Sequence, residues 1–215
     1  MRNTLLLSFV FIAACSHHVT GPTGGADTNP PPNTAPTGSS TSTTLPAGAK
    51  RAFVTSTQYY GSLSFAARSY AGEVGGAAAG DALCQQVAEA AELGGEWQAY
   101  LGDEEQDASL RLEGNGPWYA MNGTKLFNNK ANLATKPLAA FTLDERGAAV
   151  ESTDYREPVV AAWTGVAGSR CENWTSSSQT ANPVVGLVGA RDQSWRAAST
   201  HWRCSDRAHL YCFEK

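Results

Sequence analysis

Apolar and polar positions alternate with a period of two at both ends of the long C-terminal part of the chain. Arg51-Ala52-Phe53-Val54-Thr55-Ser56 predicts a first strand and His209 to Glu214 a last one, and pairing of the two would bring the ends of the domain together. Between Gly80 and Gly94 the period lengthens. Cys84, Val87, Ala88 and Ala91 line one side and Gln85, Glu89 and Glu92 the other, which predicts an amphipathic helix. Asp81 can accept backbone N–H bonds at its start, and Gly94-Gly95 can take the left-handed conformation that stops a helix. Trp97 to Leu101 alternates as a half-buried strand. Asp103 to Leu112 predicts a second short helix whose leading acids suit the helix dipole. Trp118-Tyr119-Ala120-Met121 and Thr124-Lys125-Leu126-Phe127 flank Asn122-Gly123, which turns back with positive φ at little cost, so a β-hairpin is predicted. Periodicity weakens from Ala131 to Glu157. From Gly165 to Arg191 the chain is rich in Gly, Ser, Thr, Asn and Pro, which predicts long ordered loops.

Composition divides the chain into three parts. In residues 1–14, Arg2 precedes a mostly apolar stretch, Leu5 to Ala14, far short of the roughly 18 residues that span a bilayer, so the segment reads as a signal peptide. In residues 15–49, 23 of 35 positions are Pro, Gly, Ser or Thr, which cannot build a core, so a disordered tether is expected. His17 and His18 lie on it without a third metal ligand. Residues 50–215 carry all six Trp and four of the five Cys, and read as one α+β domain. With 16 basic and 20 acidic residues, a net charge of -4 and no Lys/Arg run, the chain lacks the footprint of a nucleic-acid binder.

Ile12-Ala13-Ala14-Cys15 resembles the lipobox of bacterial lipoproteins. That resemblance implies cleavage before Cys15, acylation of its thiol, and a membrane partner reached through the N-terminal lipid in the bacterial cell envelope. Ser16, in place of Asp, points by the enteric sorting rule to the outer membrane or cell surface. The competing reading, a secretory peptide cleaved after Ala14, leaves an unpaired exported thiol.

Cys84, Cys171, Cys204 and Cys212 form an even set in an exported chain, which favours two disulfides over free thiols or a zinc site. Four cysteines allow three connectivities, and the residues alone do not choose. Their order, with the last Cys in an aromatic strand, is similar to that of C-type lectin-like domains, and this implies the nested pairing Cys84–Cys212 and Cys171–Cys204. Gly80-Asp81-Ala82-Leu83-Cys84-Gln85-Gln86 and Leu93-Gly94-Gly95-Glu96-Trp97-Gln98-Ala99-Tyr100-Leu101 resemble the helix and strand of endostatin. Ala162-Trp163-Thr164-Gly165, Cys171-Glu172-Asn173-Trp174-Thr175-Ser176 and Leu210-Tyr211-Cys212-Phe213-Glu214 resemble a family of bacterial surface lipoproteins of undefined function with that fold. The resemblance covers about Phe53 to Glu214 and implies a C-type lectin-like (endostatin-like) fold with long loops and two disulfides.

The family's ligand chemistry does not carry over. Glu157-Pro158-Val159 and Ala181-Asn182-Pro183 are the nearest strings to a calcium-lectin tripeptide, and no Trp-Asn-Asp follows. Endostatin's zinc ligands and heparin-binding arginines are not matched, so no metal and no cofactor is expected. Catalysis has little to build on. His201 or His209 with Asp192 or Asp206 could join a serine, but no Gly-x-Ser-x-Gly elbow occurs, and Asp103, Glu104, Glu105 and Asp107 read as solvated acids. Trp97, Trp118 and Trp163 read as core. Trp174, Trp195 and Trp202 either pack beneath the loops or, with Asn173, Arg191, Asp192 and Arg196, form a binding surface. The expected function is a lipid-anchored envelope protein that binds a protein or glycan without catalysis. An envelope hydrolase and a structural envelope lipoprotein are the competing classes.

Overall fold

The computed structural model describes residues 45–152, 159–198 and 201–215; the residues expected to form a signal peptide, a lipidation site at Cys15 and a tether, as far as Thr44, lie outside them. The domain is mixed α+β, with four α-helices and a seven-stranded sheet among the described residues, the sheet centred on the last strand. β1 (Lys50–Val54) pairs antiparallel with β7 (His209–Glu214), Val54 opposite Tyr211 and Ala52 opposite Phe213, as the alternation at the two ends predicted. The other edge of β7 is shared. β5 (Ala161–Gly168) runs parallel to its beginning, Trp163 opposite Leu210, and β2 (Trp97–Ala99) antiparallel to its end, Ala99 opposite Cys212. β3 (Trp118–Tyr119) and β4 (Lys125–Phe127) form the predicted hairpin outside β1, and β6 (Pro183–Leu187) lies outside β5.

Because successive strand residues point to opposite faces, β1 and β7 feed two cores. Phe53, Leu210 and Cys212 enter one, and Ala52, Val54, Tyr211 and Phe213 the other. The first is covered by α1 (Leu63–Ala71) and α2 (Gly76–Ala90), through Leu63, Ala67, Leu83, Cys84 and Ala88. The second is aromatic. Trp195 lies 4.8 Å from Tyr100, 5.0 Å from Phe127 and 5.5 Å from Tyr211, ring centre to ring centre, and Phe141 stacks on Tyr211 at 5.0 Å. Disulfides join Cys84 to Cys212 and Cys171 to Cys204, the nested arrangement.

Several local expectations need correcting. α2 starts at Gly76, so Asp81 lies inside the helix and caps nothing. Its carboxylate instead accepts the Ala99 N–H at 2.9 Å and both terminal nitrogens of Arg111, at 2.5 and 2.7 Å, tying α2 to β2. At the far end Glu92, with φ 56°, takes the left-handed position ahead of Gly94, and the Leu93 N–H reaches back to the Ala88 carbonyl at 3.0 Å. The helix predicted from Asp103 to Leu112 shrinks to one turn, α3 (Ala108–Arg111), which Asp107 caps by accepting the Ser109 N–H. α1 was not predicted. The segment from Gly165 to Arg191 is not all loop, since it holds the end of β5 and all of β6. Pro183 opens β6 at the sheet edge, where its missing N–H costs no ladder bond. Gly186 leaves room for the Trp195 carbonyl, which any Cβ there would strike.

Candidate ligand-binding face

The loop face is organised around the Cys171–Cys204 bridge. Arg170 to Ser176 contains the one-turn helix α4 (Cys171–Trp174), in which four successive non-glycine residues have positive φ: 51°, 53°, 54° and 64°. This is a left-handed turn, and for L-residues each such position costs about 1–2 kcal/mol. The surroundings hold it there. Cys171 is bonded to Cys204, while Trp174 is fully buried, donates its indole N–H to the Gly102 carbonyl at 2.7 Å and lies 6.2 Å from the Trp163 ring. Ser64 Oγ donates to the Trp174 carbonyl at 3.1 Å, and the N–H groups of Thr175 and Ser176 both reach the Cys171 carbonyl. Gly165 sits where a Cβ would come within 2.6 Å of the Trp174 ring, and at Gly61 one would lie 2.5 Å from Cys171 Sγ.

The side chains singled out from sequence fall into two groups. Trp174 and Trp195 are interior, so of the two readings of these rings the structure shows packing beneath the loops. Trp195 donates its indole N–H to the Thr135 carbonyl at 3.0 Å. Arg196 is also committed inward. Its Nε donates to Tyr100 Oη at 2.9 Å, and its terminal nitrogens reach the Ala134 carbonyl and Asp107 Oδ1. The outer group is polar. Arg191 is exposed and donates to the Leu138 carbonyl, and Asp192 caps the turn Gln193–Trp195 by accepting from the Ser194 N–H and hydroxyl. Those Ser194 hydrogen bonds lower the Asp192 pKa. Asn173 is half-buried against Gly76, its Oδ1 without a hydrogen-bond partner among the described residues. Trp202 is half-buried and packs against the first core.

The structure adds residues to this face that sequence reasoning passed over. Tyr59 pairs with Ala208, the Gly61 N–H donates to the Cys204 carbonyl at 2.8 Å, and the chain then turns at Ser62 into α1. Tyr60 is 45 % exposed and Phe65 72 % exposed on this shoulder, with the Arg207 guanidinium over the Tyr60 ring at 4.6 Å and that of Arg68 over Phe65 at 5.8 Å. Ser62 before Leu63 and Gly72 after Ala71 were the available boundary signals for α1.

His209 is buried, and both its ring nitrogens have neutral partners. His209 Nδ1 lies 2.6 Å from the Thr55 carbonyl and Nε2 lies 3.0 Å from Gln58 Nε2, so Nδ1 carries the proton and Nε2 accepts. Ser56 donates its N–H and its hydroxyl to Glu145, not to the imidazole. A serine–histidine relay is therefore not assembled here. Among the described residues no group of three or more His, Cys, Asp or Glu is placed to hold a metal ion, and no helix is long and apolar enough to cross a membrane.

Burial lowers the His209 pKa, and the Thr55 carbonyl and the Glu145 carboxylate oppose it without overcoming it. Below the ordinary value of 6.5 the unfolded chain binds a proton that the folded chain refuses, so stability falls as pH drops. The loss levels off below the folded-state pKa. Unfolding free energies from urea titrations between pH 7.5 and 5.5 are expected to fall by up to about 1.4 kcal/mol per pH unit, and His209→Gln is expected to flatten that slope. An equal slope in the variant would assign the effect to another group.

No protein-family model matches the chain, and no curated protein matches it significantly in sequence.

Proposed function

We propose that the chain is a lipid-anchored protein of the bacterial cell envelope whose C-type lectin-like domain binds a protein or glycan partner without catalysis, through the loop face around the Cys171–Cys204 bridge. The left-handed turn at Cys171–Trp174 carries the binding reading. Backbone strain of several kcal/mol persists only where surrounding structure over-determines it, and such strain concentrates at sites that present groups to a ligand. The nested disulfides, the pairing of the first strand with the last and the paired helices on one face of the sheet support the C-type lectin-like reading. Ile12-Ala13-Ala14-Cys15 and the Pro- and Thr-rich segment after it support the anchor and tether.

The test is capture. The full chain, crosslinked on intact cells and to isolated envelope and matrix fractions, is expected to retain a defined partner, and Cys171→Ala/Cys204→Ala is expected to lose it. In the producing cell, Cys15→Ser is expected to abolish incorporation of labelled palmitate. Capture of nothing by the wild-type chain would remove the binding reading, and an unlabelled wild-type chain would remove the anchor.

A further inference from the structure

Phe65 is the most exposed large apolar side chain among the described residues, and Tyr60, also exposed, lies five positions before it, at the entry to α1. Five residues span at most about 18 Å, so both rings fall within reach of one short extended peptide. The shoulder is braced from behind by the Tyr59–Ala208 bridge and the Gly61–Cys204 hydrogen bond. Its charge differs from that of the chain as a whole. Arg203 and Arg207 are exposed, and among the described residues neither forms an ion pair with a carboxylate, although the chain carries a net charge of -4. Asp206 lies between them but accepts the Arg203 backbone N–H at 2.8 Å. Arg68 is ion-paired with Glu73 at 3.0 Å.

We infer that this shoulder, Tyr60 and Phe65 with Arg203 and Arg207, docks an acidic peptide segment of a partner protein; the inference rests on the binding reading above and names the chemistry of the partner. A guanidinium stacked on a ring keeps its edge N–H groups free for a carboxylate, and stacking on Tyr60 orients that of Arg207 before any ligand arrives. Phe65 offers no hydrogen-bonding atom, so it suits an apolar side chain flanked by acids. A neutral sugar offers no carboxylate to Arg203 and Arg207, whereas an acidic peptide offers carboxylates to both and an apolar side chain to Phe65. The same features therefore favour an acidic peptide over a glycan.

Fluorescence anisotropy on the full chain tests this with a labelled decapeptide of alternating Glu and Leu and its Gln-for-Glu counterpart. The Glu peptide is expected to bind at least about tenfold more tightly than the Gln peptide, and added salt to weaken it. Arg207→Gln and Tyr60→Ser, both surface changes, are each expected to weaken it about tenfold with the melting temperature unchanged, while Leu110→Ser on α3 leaves it alone. Equal affinity for the two peptides, indifference to both variants, or tighter binding of oligogalacturonate than of the Glu peptide would overturn the inference. Should the capture experiment yield a partner that R207Q and Y60S still hold at full affinity, this inference fails and the binding reading stands. No partner at all removes the binding reading itself.

Discussion

Trp195→Ala is expected to destabilise the domain by about 3–5 kcal/mol, the range for emptying an aromatic site in a core. Trp195 is fully buried and meets Tyr100, Phe127 and Tyr211, so no solvent-side relaxation can refill its volume. Its indole N–H also fastens the loop at Thr135, and Arg196 beside it bonds Tyr100 and Ala134. The substitution therefore empties the ring site and also releases the loop at Thr135, leaving only the Arg196–Ala134 bond to hold it. Urea denaturation followed by far-UV circular dichroism would measure the loss. A change below about 1 kcal/mol would mean that the ring is accessible to solvent, and Trp195 would return as a ligand contact.

Removing the longer bridge has an effect of similar size. Cys84→Ala together with Cys212→Ala is expected to cost about 2–5 kcal/mol, because the bridge closes 128 residues and the open chain regains the corresponding loop entropy. Both sulfurs lie in the first core between α2 and β7, so two alanines also leave that core underfilled. Thermal melts of the wild type and the double variant under oxidising conditions provide the measurement, and equal midpoints would refute it. The shorter bridge closes only 33 residues, and its removal should be felt most at the left-handed turn it fastens. Comparing the two double variants separates global support from local support of the loop face.

What was legible in the sequence followed from local rules. β1 and β7 announced themselves by alternation, and the β3–β4 hairpin by Asn122-Gly123, because these signals are carried by neighbouring residues. α1 was hidden because Phe65 and Tyr70 interrupt the polar side of its pattern with exposed rings. β6 was hidden because Pro183 and Gly186 read as loop, although one sits harmlessly at the sheet edge and the other admits the Trp195 carbonyl. Asp81 was assigned by its type, whereas its actual partner, Arg111, lies thirty residues away in sequence. The site was less legible still. Nothing in Cys171-Glu172-Asn173-Trp174 announces a left-handed turn, since no glycine is present and tertiary contacts impose the conformation. The depth of Trp174 and the exposure of Phe65 depend equally on what folds over them.

The placement of β7 also dictates an order of events. Both its edges and both its faces are occupied, by β1 on one side, by β5 and β2 on the other, and by a core above and below. Until residues 209–214 emerge, every strand that borders them lacks its neighbour and neither core can close. A nascent polypeptide of this topology stays open until that final segment is available, and only then can it zip shut.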